Sequence, residues 1–180
     1  MSEQRTHFDL VVIGGGPGGY ASALYGSAAG MDVALVEMSK IGGTCLHVGC
    51  IPAKELLETA SVLRTVRHAG EFGVNTSEAT LDLSKTMERK QSVIDQLTKG
   101  VVGLLDRREV TIFNGIGSLS ANRKIKSQAT DGSKTHITGD NIILASGSKP
   151  RTIPGFEIDG DLILTSEELL SMTTIPKSVA

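Results

Sequence analysis

Short apolar runs alternate along this chain with stretches of helical spacing. Residues 8–13 (FDLVVI) are apolar, rich in β-branched side chains and stopped by glycines, which predicts a buried strand. Residues 18–30 are full of Ala, Ser and Gly, with Ala21, Leu24, Tyr25 and Ala28 on one face. They predict a helix of small residues able to pack close to a sheet. Residues 32–37 (DVALVE) predict a second strand. Strand, helix and strand in about 30 residues form a βαβ unit, for which a right-handed crossover is expected.

Residues 38–49 read as a glycine-containing loop. Pro52 stands where a helix can begin, because its missing N–H costs nothing in a first turn. Leu56, Leu57, Ala60, Leu63 and Val66 carry that helix to about residue 69. A second helix is expected over roughly 82–108, with Leu83, Met87, Ile94, Leu97, Val101 and Leu104 on one face. Residues 110–113 (VTIF) predict a third buried strand. The character changes between 115 and 139, where KIKSQA and KTHIT flank the turn dipeptide Asp131-Gly132, as in a small antiparallel excursion. Residues 141–145 (NIILA) predict a further parallel strand, ending in Ser146-Gly147-Ser148. A short helix is expected near 166–171.

Composition narrows the class. Of 180 residues, 39% are hydrophobic and 21% charged, a globular balance. Glycine is in excess, 21 of 180 residues against a usual share of about 7%. The net charge of −2, with four Phe, two Tyr and no Trp, lacks the basic footprint and stacking aromatics of a nucleic-acid binder. No apolar stretch reaches the roughly 18 residues of a membrane span. The start, MSEQRTHF, has neither the apolar run of a secretory signal nor the pattern of a transit peptide, so a cytoplasmic location is expected.

Gly14-Gly15-Gly16-Pro17-Gly18-Gly19 satisfies G-x-G-x-x-G at Gly14, Gly16 and Gly19. The pattern alone is weak, but here it follows a strand, opens a small-residue helix and is trailed by Glu37 at the next strand's end. Gly14 allows the turn, Gly16 lets backbone approach a pyrophosphate, and Gly19 brings helix and strand together. The helix N-terminus then presents N–H groups and a positive dipole to phosphates. Glu37 can accept from ribose hydroxyls and disfavours a 2′-phosphate, so FAD or NAD is expected there rather than NADP. A plain glycine turn with a solvated Glu37 is the competing reading.

Only two cysteines occur, Cys45 and Cys50, separated by Leu46-His47-Val48-Gly49 and placed just ahead of a helix. A helix N-terminus favours an anion, hence a thiolate at Cys50. Two thiols this close suit thiol–disulfide exchange. A zinc site would need about four ligands, and this region offers only the two cysteines and His47, so no metal is expected. Buried inert thiols remain the other alternative.

The stretch Gly42–Lys54, GGTCLHVGCIPAK, closely resembles the redox-active disulfide motif of the flavoprotein disulfide reductases. The resemblance extends through the glycine fingerprint, Glu37, the NGIG of residues 114–117 and NIILASGSKP, over essentially the whole chain. Leu46 and Ile51 look most like the dihydrolipoamide dehydrogenase branch; glutathione and mercuric reductases, which tend to carry Val there, come next. His47 stands where Asn is commoner, Ala53 where Ser is common and Ser146 where Thr is usual.

The resemblance implies an α/β fold: a Rossmann-like FAD-binding domain with a parallel sheet and a small antiparallel β excursion, incomplete at the C-terminus. Residues 1–150 would be its first segment, and 151–180 a connection towards an NAD-binding domain. Gly14, Gly16, Gly19 and Glu37 would hold the pyrophosphate and ribose of FAD, with Gly43 and Thr44 lining the site. Cys45 resembles the interchange thiol and Cys50 the thiol that faces the flavin. Lys54 matches a lysine near the flavin, Gly117 a position whose backbone meets the adenine, and Ser146, Gly147 and Ser148 a loop that touches FAD. The implied reaction oxidises dihydrolipoamide with NAD, in a homodimer serving the lipoyl-bearing protein of a 2-oxoacid dehydrogenase complex. The chain carries one G-x-G-x-x-G, and none of His7, His47, His68 or His136 matches the family's acid/base histidine motif. A non-catalytic FAD- or NAD-binding module stays open beside the enzyme.

Overall fold

A computed structural model describes residues 6–120 and 123–180. The chain divides into two compact bodies, Met1–Cys45 with Leu97–Lys149, and Leu46–Gln96 with Pro150–Ala180.

The first body is built on a six-stranded sheet of order β3-β2-β1-β6-β5-β4. β1 (His7–Ile13), β2 (Val33–Glu37) and β3 (Thr111–Asn114) run parallel, and β6 (Lys134–Leu144) lies parallel to β1 on its other side. α1 (Pro17–Ala28) connects β1 to β2. β4 (Ile116–Leu119) and β5 (Lys124–Gln128) add antiparallel to the early half of β6. The excursion expected from sequence is therefore part of the same sheet. KTHIT and NIILA, read as separate strands, form one long strand. Gly139 between them is no turn: a Cβ there would lie 2.7 Å from Val11 Cγ2, so the residue is glycine to let β6 lie against β1.

Alternation along the strands divides the core between the two sheet faces. Val11, Ile13, Ala34 and Val36 face one way and are covered by Ile125 and Ile137 of the meander β4–β6, with Phe8 and Phe113 meeting edge to face at 5.9 Å. Leu10, Val12, Val33 and Leu35 face the other way, against Ala23 of α1 and Leu105 of α4 (Leu83–Arg107). The layers are thus meander, parallel sheet and helices.

Two helix faces differ from the sequence reading. In α1 the buried positions are Gly19, Ala23 and Gly26, while Tyr25 is 79% exposed and Ala28 also faces solvent. A Cβ at Gly26 would come within 2.7 Å of Leu10 Cδ2, so smallness, not hydrophobicity, marks the packed stripe. In α4, Leu97 and Leu104 are about 40% exposed and Leu105 is fully buried. A straight helix repeats every 3.6 residues, so a seam starting at Leu83 and Met87 drifts off a strict seven-residue step and reaches 105 rather than 104.

α4 ends with Arg108 and Val110 N–H donating to the Leu104 and Leu105 carbonyls, which places Glu109 in the left-handed region at φ 54°. Glu109→Gly relieves that strain. The variant is expected to gain up to about 1 kcal/mol, read as a higher denaturant midpoint with unchanged slope.

The second body holds α3 (Cys50–His68), the first half of α4 and α5 (Ser166–Leu170). α3 starts two residues earlier than Pro52, which is fully buried. Arg89 Nη2 lies 3.1 Å from Glu55 Oε2 and ties α4 to α3. Thr165 and Glu168 form a capping box at the start of α5. At its other end the buried Lys90 donates from Nζ to the Leu170 carbonyl at 2.7 Å. Burial holds Lys90 below its ordinary value of 10.5, so the folded chain sheds this proton before the unfolded chain does. The burial penalty is therefore full at neutral pH and eases as pH climbs through the lowered folded value towards 10.5. In Lys90→Met, amide exchange over residues 166–170 should quicken, and the alkaline gain in thermal stability should disappear.

Candidate nucleotide and thiol site

The carboxyl ends of β1, β2, β3 and β6 lie at one edge of the first body's sheet. β2 lies on one side of β1 and β6 on the other, so the connections diverge between β1 and β6. In an open α/β sheet, ligands bind in the crevice beyond such a switch point. The glycine-rich turn follows β1 directly into that crevice.

Gly14, Gly15 and Gly19 of the turn are each fixed by a contact. Gly14 has φ 105°, and its N–H donates to the Val36 carbonyl at 2.8 Å. A Cβ on it would overlap the Ala145 carbonyl at the end of β6. A Cβ on Gly19 would overlap the Gly14 carbonyl, so α1 can start against the turn only with glycine at that place. Gly19 and Tyr20 N–H donate to the Gly16 carbonyl, and Pro17 has no N–H. The helix start leaves the N–H groups of Gly16 and Gly18 for a ligand.

A second glycine pair faces this turn. Residues 38–49, expected as loop throughout, contain a short helix α2 (Gly43–His47). Gly42 at φ 107° donates its N–H to the Gly15 carbonyl at 2.8 Å. Gly43, at φ 56°, approaches Gly16 so closely that a Cβ on it would lie 2.8 Å from Gly16 Cα. Two backbone segments without side chains thus border the same cradle. Thr44 is exposed on the first turn of α2.

Glu37 is only 8% exposed, and its carboxylate spans the cradle. Oε2 accepts from Gly15 N–H at 2.5 Å and Oε1 from Ser39 N–H at 2.7 Å. Each carboxylate oxygen has further acceptor capacity for a ligand hydroxyl. Sequence reasoning passed over Gly15, Ile41 and Gly42. A Cβ at Gly15 would press on Ile41 Cδ1 at 2.8 Å and on Glu37 Oε2 at 3.0 Å. The signal was the middle glycine of Gly14-Gly15-Gly16, a place the G-x-G-x-x-G pattern treats as free.

Gly117 lies inside β4, not in a turn, over the ends of β1 and β2. A Cβ there would meet Ile13 Cγ2 at 2.8 Å and Val36 Cγ1 at 3.2 Å. Ser146, Gly147 and Ser148 are exposed beyond Ala145, whose N–H donates to the Ile13 carbonyl at 2.8 Å; Gly147 has φ 73°. The first body therefore gathers Gly14, Gly16, Gly19, Glu37, Gly43, Gly117 and residues 146–148 at one sheet edge. A hollow of about 570 Å³ between α4 and β3, lined by Lys99, Val102, Asp106 and Ile112 among others, holds none of these residues.

Both cysteines carry free thiols. Cys45 is half-buried on α2. Cys50 is exposed as the first residue of α3, after Gly49, which supplies no side-chain cap. Lys54 is exposed one turn further along α3. Among the described residues no three His, Cys, Asp or Glu side chains are grouped to hold a metal ion, and no helix is long and apolar enough to cross a membrane.

A glycine-rich turn at the switch point of a mostly parallel α/β sheet makes this body Rossmann-like. The family model described as pyridine nucleotide-disulphide oxidoreductase matches residues 8–180, and the chain belongs to that family of enzymes. It is 40% identical over 97% of its length to a dihydrolipoyl dehydrogenase of Bacillus subtilis, and 42% identical over 96% to one of Chlorobaculum parvum. The crystal structure of LpdA from Mycobacterium tuberculosis superposes with a TM-score of 0.85 at 25% identity, covering 96% of this chain. The chain spans 37–38% of the length of these relatives.

Proposed function

We propose that the chain forms the FAD- and disulfide-bearing part of a dihydrolipoamide dehydrogenase, oxidising dihydrolipoamide with NAD in the whole protein. Residues 1–150 are then the first segment of the FAD domain, and 151–180 lead towards an NAD domain. The observation that carries this reading is the cradle itself, where side chains are excluded at Gly14, Gly15, Gly19 and Gly43 and a carboxylate braces the middle of the turn. Its dimensions suit backbone approach to a pyrophosphate, and its donor set is backbone N–H at a helix start.

Gly16 and Gly18 would donate to the pyrophosphate, Glu37 would accept from the adenosine ribose, and Gly43, Thr44, Gly117 and residues 146–148 would border the rest of the cofactor. FAD, when bound, supplies a two-electron acceptor that passes a hydride on to NAD. The chain's own residues handle sulfur. In the oxidised state Cys45 and Cys50 share a disulfide. A substrate thiolate attacks Cys45 Sγ, the Cys45–Cys50 bond breaks, and its electron pair leaves on Cys50 Sγ. The second substrate thiol, giving up its proton, attacks the mixed disulfide, closes the cyclic disulfide product and frees Cys45 as a thiol. Cys50, at the start of α3, then holds the negative charge where the helix dipole favours it. Lys54, one turn on, adds a cation to that face.

The names of the relatives favour dihydrolipoamide over glutathione or mercuric ion as the class of substrate. The lipoyl-bearing partner, the homodimer and a cytoplasmic setting belong to the same proposal. Purification settles the first step: the protein is expected to be yellow with bound FAD, and two-electron reduction should bring up a long-wavelength thiolate-to-flavin band. A colourless protein that takes up no added FAD would sink the reading.

A further inference from the structure

The meander β4–β6 presents a cationic face that the cradle does not use. Ile125, Ser127 and Ile137 are buried against the parallel sheet, so the alternate residues of β5 and β6 stand on the outer face. Lys126 pairs directly across from His136, and Gln128 across from Lys134, with Lys124 next along the strand. On the other side Ser118 of β4 pairs with Lys126, and Ile116, 60% exposed, pairs with Gln128. Over the paired stretches 116–119, 124–128 and 134–138 no outward position is Asp or Glu. The nearest carboxylates flank this stretch at its two ends, Asp140 being exposed further along β6. Asp131 at the hairpin tip accepts Ser133 N–H at 2.8 Å, and Asp140 sits 3.6 Å from His7 Nε2.

Like charges crowded on one sheet face repel, and Lys126 has Lys124 two positions along its own strand and Lys134 diagonally across from it. Three lysines and a histidine on one small face, in a chain of net charge −2, therefore suit a surface whose charge is neutralised from outside. Three strands about 4.8 Å apart and five residues long make a flat patch of roughly 10 by 17 Å. That is too small to track a nucleic-acid backbone. Hydroxyl and amide groups at Ser118 and Gln128 and one apolar anchor at Ile116 match a polypeptide.

We infer that the outer face of β4–β6, centred on Lys126, Lys134 and His136, docks an acidic segment of a partner protein. This stands apart from the flavin and thiol reading. The test is binding of a fluorescein-labelled peptide of alternating Glu and Ser to the full chain at low ionic strength, followed by anisotropy. Binding should weaken steeply with salt. Lys126→Glu with Lys134→Glu should weaken it more than tenfold, and Lys126→Met with Lys134→Met by less. Lys85→Glu with Lys99→Glu, the same charge change on α4, should stay within twofold of the parent. Thermal melts of each variant report whether it folds. No binding, an equal loss in both double reversals, or tighter binding of an RNA oligonucleotide than of the peptide would overturn the inference.

Discussion

Gly19→Ala is expected to abolish FAD binding and to lower the stability of the first body by about 1–3 kcal/mol, the usual cost of forcing an extra methyl into a packed place. The added Cβ overlaps the Gly14 carbonyl oxygen, which is backbone and cannot swing away. Gly14 itself is pinned. Its N–H is bonded to Val36, its φ is 105°, and the Ala145 carbonyl occupies the place where its own side chain would be. Relief must come from moving α1, and that displaces the open N–H groups at Gly16 and Gly18. Gly18→Ala makes the control. A Cβ there has its nearest neighbour, the Ala145 methyl, at 4.0 Å. That variant should melt and bind like the parent. Flavin stoichiometry and thermal melts on the two variants separate a steric lock at residue 19 from a general sensitivity of the turn. Equal flavin content in both would remove the lock.

The second large effect concerns the sulfurs. Reduced parent protein treated with an aromatic disulfide such as dithiobis(nitrobenzoate) should release two thiolate equivalents and retain no label. Cys45 and Cys50 then close their own disulfide and expel the first adduct. Cys50→Ser should release one equivalent and keep one label on Cys45, because no second thiol is there to displace it. Cys45→Ser should behave as the mirror case, labelled at Cys50. In either variant, reduction of the bound flavin by dihydrolipoamide should fall to background. Two thiols that react independently would instead keep two labels in the parent protein, and two inert thiols would release no thiolate; either result would defeat the exchange chemistry.

Sequence pattern located the parallel strands well, because their apolar runs are continuous and bounded by glycines, as for Phe8 to Ile13. The glycine turn was legible for the same reason: its context of strand, helix and acidic strand end is short-range. Other features depend on contacts remote in sequence. KTHIT and NIILA read as two strands because nothing near Gly139 reveals that β6 must lie unbroken against Val11. Gly42 and Gly43 looked like loop, although their positive φ values serve the approach to Gly15 and Gly16 and a helix starts at once. The face of α1 was misjudged because the helix has no charged residue to mark its wet side. The Glu37 carboxylate was read as a ribose acceptor, and the structure adds a brace on Gly15 that no spacing rule contains.

The long strand β6 has a consequence for how the chain is made. β1 begins at His7, yet its inner edge is completed only by residues 138–144, and the His7–Thr138 contact spans 131 positions. At ribosomal rates of roughly 5–20 residues per second, the first strand waits about 7–26 s before its neighbour is synthesised. Through that interval FDLVVI is an apolar strand with one edge unpaired, the kind of segment chaperones hold and aggregates recruit. The nucleotide cradle, which needs Ala145 beside Gly14, is therefore among the last parts of the first body to form, and flavin can be captured there only after the whole meander has emerged.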